Sequence, residues 1–523
     1  MIQTKPSIHL NSLKEMRIVR YFAYSRSRQV LLLASASILF LIATYSWFIS
    51  FGLMTRWPPP QSYYVYDQLA NAFRQGQLSL EKKPSAALLA LPDPYDPAAR
   101  AGILIQKDYS LYHGKYYLYF GPAPALLLII VKLFVVGQIS DQYLVFAFVC
   151  GIGIVQSLIV INVWKRFFHT LPVWIIPLSI LFSGLVTPLT GILTQARVYE
   201  AASTSGQFFF LTGLYFVITS IEKESISAGR LFIGGLSWAL ALGSRLTLAL
   251  PIGFVTFMVA LLALRTYRQT KLLSKTLFSF VSLALPLGVG LIALGLYNWA
   301  RFHSVFETGF SYQLAGPNLQ KYKEVLFSPL YILPNLYDYF VMLPKITKIF
   351  PFLISIQANG ASLFSFITLP DIYTAPPLTG MLFSVPFILL AGILVPPVLR
   401  PKKELKDEIS REDDAYWFRW TVISLFGSFL FGFIPIVSFF WVALHYFLDF
   451  SPALVLLSVI GFWQGYVSLP NGPLSRKLYT LAGIGLMIIS VVASNLLVFS
   501  ARAAEFQRFN PILWHHLSNL FSR

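Results

Sequence analysis

The chain has 523 residues, 56% of them hydrophobic, 16% aromatic and only 12% charged, with a formal net charge of +18. That balance excludes a soluble globular protein and predicts an all-α polytopic membrane protein. The basic residues are scattered among short loops between apolar runs, which argues for membrane orientation and against nucleic acid as a partner; the single cysteine, Cys150, rules out a disulfide framework.

Residues 1–29 include Lys5, Lys14, Arg17, Arg20, Arg26 and Arg28 and precede an apolar run from Val30. This pattern predicts a cytoplasmic amphipathic N-terminus, resting on the anionic inner leaflet over 11–28, followed by a retained first span. Further spans are expected near 142–163, 173–190, 206–221, 231–247, 250–264, 277–297, 379–398, 421–443, 451–470 and 478–499, about eleven transmembrane helices in all. The stretch 118–137 is also mostly apolar but carries Pro122, Pro124 and Lys132. If it does not cross, the short inner loops hold Lys165, Arg166, Lys223, Arg230, Arg265, Arg268, Lys271, Lys275, the basic residues of 400–419, Arg476 and Lys477; the short outer connections hold Arg197 and Arg245. If it crosses, that bias inverts, against the rule that short loops obey most strongly.

The segment is therefore read as a juxtamembrane helix dipping into the outer leaflet under protein cover. The outer face then collects the loops 54–141, 191–205, 298–378 and 443–450. The expected organisation is a transmembrane domain over 30–499 and an extracytoplasmic tail over 500–523, in the cell (inner) membrane.

Charges are almost absent from the middles of the spans, which weighs against an ion-coupled transporter. In "SYYVYDQLANAFRQGQLSL", 62–80, a helix opened by Ser62 would put Tyr66, Leu69, Ala70 and Phe73 on one face and Asp67, Asn71 and Arg74 on another. Asp67 is then either a carboxylate held at a fixed height for chemistry or a partner of its own helix terminus and Arg74. Asp93 and Asp96, each followed by proline, predict turns, with a metal or sugar contact as the second reading. Asp108, His113, Lys115 and the tyrosines of 107–124 suit interface anchoring, or a sugar ring attached to a phosphate.

Glu200 heads a span beside Arg197 and Tyr199 and either pairs with Arg197 or serves the outer chamber. Arg245 stands alone in an apolar setting, where it snorkels or binds an anion. Asn298, Arg301, His303 and Glu307, then His445, Tyr446 and Asp449, complete the outer set. Prolines break 317–378 into short interfacial pieces that lid this face or pack as loops, and 400–414 reads as a solvated cytoplasmic linker. Acids, a few basic groups and many aromatics at the membrane surface imply an amphipathic ligand with a lipid tail and a phosphorylated head.

In "YDQLANAF", "YFGPAPALLL", "RVYEAAS", "YNWARFHSVFETGF" and "HYFLDFSPAL" the chain resembles the GT-C superfamily of integral-membrane glycosyltransferases, nearest the protein mannosyltransferase and aminoarabinose transferase types. The resemblance covers most of the chain in layout. It implies a polyprenyl-phosphate sugar donor, a glycan, lipid or protein acceptor, and inverting transfer on the extracytoplasmic face. It also implies that Asp67 is the general base and that Glu200 positions the acceptor or a divalent metal, no cofactor being otherwise called for. Lys115, Arg245 and Arg301 would meet the leaving phosphate, with Tyr446 lining the substrate; His445 stands where the resemblance leads one to expect arginine. One carboxylate and two or three cations would suffice, because phosphate leaves already ionised. An O-antigen ligase or polymerase and a lipid or polysaccharide transporter are the competing classes.

Overall fold

The computed structural model describes residues 8–55, 57–58, 64–186, 188–220, 226–399, 412–469 and 472–520. The expected helix-opening Ser62 and most of the 400–414 linker lie outside them. The principal elements, in chain order, are α1 (Ile8–Ile49), α2 (Val65–Arg74), the hairpin β1 (Ser110–Tyr112) and β2 (Lys115–Tyr117), α3 (Ala123–Val131), α4 (Asp141–Phe167), α5 (Ile175–Leu185) and α6 (Val198–Ser220). There follow α7 (Ala228–Leu242), α8 (Ala249–Thr270), α9 (Leu273–Phe302), α10 (Ile332–Phe340), α11 (Glu412–Val437), α12 (Ser451–Ser468) and α13 (Pro473–Ala501).

Among the described residues, eight helical stretches are long and apolar enough to cross a bilayer, and they fall in α1, α4, α6, α8, α9, α11, α12 and α13. The other three expected spans are shorter apolar helices: α5, α7 and Pro386–Val398. In α7 the cause of the shortening is visible, because the helix stops at Gly243 and the chain turns through Arg245, which has extended backbone angles. α7 is packed tightly between its neighbours: a Cβ on Gly235 would lie 2.1 Å from the Leu283 carbonyl oxygen, and one on Gly290 would lie 2.4 Å from the Ala239 side chain. Such backbone-to-backbone approach is how small residues hold helices together where lipid removes the hydrophobic drive.

The disputed 118–137 segment forms only α3, nine residues long. At about 1.5 Å rise per residue it covers roughly 14 Å, against about 30 Å of hydrocarbon, so it does not cross. Lys132 ends it, and beyond it Leu133, Phe134 and Val136 are exposed apolar side chains. The amphipathic N-terminus, expected as an element distinct from the first span, instead runs into it without a break over the described part of α1.

α4, 27 residues and about 40 Å long, separates two chemically distinct ends of the bundle. At one end the basic loops meet aromatic rings: the Arg166 guanidinium lies 5.5 Å from the Trp417 ring centre, Arg265 3.4 Å from that of Tyr416, and Arg26 5.2 Å from that of Trp164. At the other end the four long loops fold together. The tail helices Ala503–Phe509 and Pro511–Leu520 join this second end, where Asn510 donates to the Phe51 carbonyl (3.1 Å) and Trp514 packs on Phe350. The 317–378 stretch consists of short helical pieces and a small hairpin, Lys345–Ile346 with Leu353–Ile354, tied down by Asn335, whose amide donates to the carbonyls of Val437 (3.0 Å) and Phe439 (2.8 Å).

Candidate active site

The first loop is held by two buried carboxylates with separate tasks. Asp141, at the head of α4, accepts from the backbone N–H groups of Val65 and Tyr66, both at 3.1 Å, so the orphan donors of α2 are capped from another helix rather than by a residue just before it. Asp67 is 1% exposed and faces the connection between α3 and α4. Its Oδ1 takes the Lys132 ammonium at 2.7 Å and the Ile139 N–H at 3.0 Å, and its Oδ2 takes the Asn71 amide at 3.3 Å. The expected alternative partner, Arg74, is not among these. Both oxygens of Asp67 are thus engaged in joining α2 to the end of the dipping segment.

The neighbouring residue of α2, Tyr66, turns toward a different group. Arg245, 7% exposed, is not alone as its sequence setting suggests: its Nε donates to both carboxylate oxygens of Asp449, at 2.6 and 2.9 Å. Thr247 donates to the same carboxylate at 2.8 Å. The guanidinium lies 5.2 Å from the centre of the Tyr446 ring. Burial opposes the charge on Arg245, but the adjacent carboxylate outweighs it and keeps the side chain cationic; burial likewise pushes the Tyr446 phenol up to about 12.

Three glycines make room for this pair. A Cβ on Gly206 would approach the Arg245 Cβ to 2.9 Å, one on Gly432 the Asp449 carbonyl oxygen to 2.3 Å, and one on Gly121 the Gly243 carbonyl oxygen to 2.1 Å. The Gly121 contact, reinforced by the Ala123 N–H donating to the Gly243 carbonyl at 2.8 Å, brings Tyr119 beside the Arg245 turn. Tyr66, Tyr119 and Tyr446 consequently share the electrostatic surroundings of Arg245, and burial raises the Tyr66 and Tyr119 phenols well above their ordinary range.

Arg301 adds a second buried guanidinium from the end of α9. Its Nη1 donates to the Leu118 carbonyl (2.6 Å) and its Nη2 to Asn298 (2.8 Å), and it lies 3.8 Å from the centre of the Tyr297 ring. Among the described residues, the Arg301 Nε and the hydroxyls of Tyr66 and Tyr297 are buried polar atoms with no hydrogen-bond partner. Leaving such donors unpaired costs about 1–3 kcal/mol each, a cost that an incoming acceptor would relieve.

Glu200, 1% exposed, accepts from the Arg197 backbone N–H at 3.2 Å, and its Oε1 lies 3.5 Å from the Arg197 guanidinium and 3.9 Å from His445 Nδ1. The His445 ring stacks on Tyr199. Burial first, then Arg245 and Arg197, hold its pKa well below the ordinary value, so it is a neutral imidazole rather than a third cation. Arg502 of the tail, paired with Glu505 at 3.0 Å, feels the charges of Arg197 and Glu200.

Asp108, read in the sequence only as part of the 107–124 stretch, was given no catalytic role there. It occupies a left-handed backbone position (φ 63°), is half-buried, and accepts from the Tyr199 hydroxyl and from the Gln313 amide at 3.0 Å. Burial raises its pKa despite the Gln313 hydrogen bond and the nearby charges of Lys107, Arg197 and Arg100. A non-glycine residue at positive φ is uncommon, though aspartate tolerates it, and it shows only in the backbone. Asp93 and Asp96 do form the expected turns, accepting from the N–H groups of Tyr95 (2.9 Å) and Ala98 (3.0 Å).

Lys115 stands apart from the Arg245 group, exposed on β2 directly across from Tyr112. Among the described residues no three His, Cys, Asp or Glu side chains gather closely enough to hold a metal ion. The carboxylates of Asp67, Glu200, Asp108 and Asp449 are each joined to a cation, amide or hydroxyl, which does not fit an oxygen-rich divalent site.

No family model matches the chain, and no curated protein matches it. Three solved structures of the Archaeoglobus fulgidus oligosaccharyltransferase are similar to it at 12% identity. The apo form has a TM-score of 0.47 over 96% of this chain and 60% of that one. The enzyme, there called AglB, in complex with an inhibitory peptide and a dolichol-phosphate has a TM-score of 0.39 over the same shares. The form tethered to an acceptor peptide containing the NVT sequon has a TM-score of 0.41 over 94% and 59%. The chain spans about 60% of the length of these structures.

Proposed function

We propose that the chain is a membrane glycosyltransferase that takes a sugar from a polyprenyl-phosphate donor on the extracytoplasmic face and transfers it with inversion. The observation that carries this reading is that two buried guanidiniums, Arg245 and Arg301, lie near the buried phenol hydroxyls of Tyr66 and Tyr297, which have no partner among the described residues. A phosphate group offers several anionic oxygens that can accept from donors of this kind. The bilayer-facing helices around the site suit the lipid tail of such a donor.

In the reaction the acceptor hydroxyl attacks the anomeric carbon, the carbon–oxygen bond to phosphate breaks, and its electron pair goes to the phosphate. The guanidiniums and phenols stabilise that growing charge in a water-poor setting. The attacking hydroxyl gives its proton to a carboxylate, which also steadies the oxocarbenium-like sugar. We assign the base to Asp108 in preference to Asp67, because the Lys132 ammonium at 2.7 Å and the Ile139 N–H at 3.0 Å occupy one Asp67 oxygen and tie it to the dipping segment, whereas Asp108 is half-buried with its pKa raised. Glu200 then orients Arg197 and His445 at the rim.

The test uses the full chain in lipid nanodiscs with radiolabelled polyprenyl-phosphate sugars and total envelope glycans as acceptors. Asp108→Asn is expected to lower turnover by about 10²- to 10⁴-fold with donor binding retained. Asp67→Asn should reduce folded yield, with the rate per folded molecule nearly unchanged. Full turnover in Asp108→Asn would overturn the assignment of the base, and donor binding that survives Arg245→Gln combined with Arg301→Gln would overturn the phosphate site.

A further inference from the structure

Beyond Arg301 the outer face carries a second cluster with its own chemistry. The strand register of the hairpin places Ser110 opposite Tyr117 and Tyr112 opposite Lys115, and Gln313 continues the sheet by bridging to Ser110. Alternation along these strands sends Tyr109, Leu111 and Tyr116 into the core and leaves Tyr112 and Lys115 on the open face. On that face Tyr112 and Tyr312 lie 4.6 Å apart between ring centres, Phe302 stacks against Tyr312 at 5.8 Å, and Tyr95 extends the row at 6.3 Å.

The three tyrosines are half-buried, so their rings are fixed by packing yet reach the surface. Their rim is polar. The Glu307 charge bears on Tyr312, Lys115 projects beside Tyr112, and Asp93 is held by the Asn318 amide at 3.1 Å. Phe302 is also 4.6 Å from the Arg301 guanidinium, so the row is continuous with the phosphate-binding group.

Rigid aromatic faces with carboxylate, amide and ammonium groups around them match one ligand class closely. The C–H faces of a pyranose or furanose ring pack on an aromatic surface, while its hydroxyls find donors and acceptors at the edge. A lipid tail would leave the polar rim unused, and the Asp93 and Glu307 carboxylates oppose an anion. We propose that Tyr95, Tyr112 and Tyr312 form a saccharide-stacking subsite, with Lys115, Asp93 and Glu307 binding the sugar hydroxyls. That the occupant is the acceptor glycan rests on the glycosyl-transfer reading; binding of a sugar does not.

The experiment is saturation-transfer NMR on the full chain in nanodiscs, using methyl glycosides of glucose, galactose, mannose and arabinose and soluble oligosaccharides built from them. At least one sugar is expected to receive saturation on its ring C–H protons. Tyr312→Ala and Tyr112→Ala should weaken its binding about tenfold, and Tyr312→Phe should keep it. Tyr112→Ala provides a second, independent variant should Tyr312→Ala fail to fold. No saturation with any of these sugars, or equal signals in both alanine variants, overturns the subsite. Transfer from polyprenyl-phosphate without sugar binding here sinks the subsite alone, whereas sugar binding in a chain that transfers nothing sinks the glycosyl-transfer reading alone.

Discussion

Arg245 keeps its charge inside the protein because Asp449 and Thr247 receive it there. Breaking a buried pair by removing one partner costs about 3–5 kcal/mol, while replacing both with apolar groups of similar volume is often neutral. Asp449→Asn is therefore expected to lower the midpoint of thermal unfolding in detergent clearly. The double variant Arg245→Met/Asp449→Leu should recover most of it yet bind no donor phosphate. A second buried carboxylate is held by neutral donors instead. Asp338, fully buried, accepts from the Gly360 N–H at 2.9 Å and from the Tyr373 hydroxyl at 3.4 Å, and burial pushes its pKa up to about 6. A raised carboxylate favours folding while protonated, so its contribution is complete below about pH 4 and is lost as pH rises to about 6, amounting to roughly 2–4 kcal/mol. Asp338→Asn should flatten that part of the pH–stability curve and raise stability at pH 7, as measured by denaturation in detergent across pH 4 to 8.

Among the elements, the helices were legible in the sequence wherever an apolar run approaches the length of a bilayer crossing, as in α4, α9 and α13. The dipping segment was legible too, since Pro122, Pro124 and Lys132 mark it as unlike its neighbours. The site was only partly so. Arg245 looked solitary because its partner lies 204 residues away, and Asp67, read either as a base or as a partner of Arg74, meets instead Lys132 from a segment read for its lack of a crossing. Packing between elements yields a sharper prediction. Gly121→Ala drives a methyl into the Gly243 carbonyl and is expected to cost about 1–3 kcal/mol. Gly253→Ala in α8, with nothing within 4 Å, should gain about 0.5–1 kcal/mol from helix propensity. Reversal of these signs in a thermal-shift comparison would contradict the packing described.

At the scale of the molecule, the bundle has a basic end and a polar end, which the proposed function sets on opposite sides of the membrane. We take the basic end as cytoplasmic, following the bias of short loops toward lysine and arginine. Cysteines introduced at exposed positions report this directly, in a Cys150→Ala background. Lys107→Cys should react with an impermeant reagent added outside intact cells, and Lys271→Cys should react only after permeabilisation. If both react from outside, 118–137 crosses the membrane after all and the loops sort differently.

The contact of Gly121 with the Gly243 carbonyl has a consequence for anyone who recombines this chain with a relative. A crossover anywhere between those two positions joins one parent's first-loop turn to the other parent's arginine turn, and the two backbones must then touch without having been selected together. Hybrids exchanged outside that interval inherit the touching pair intact. Their success should therefore depend on where the seam falls more than on how much of either parent they carry.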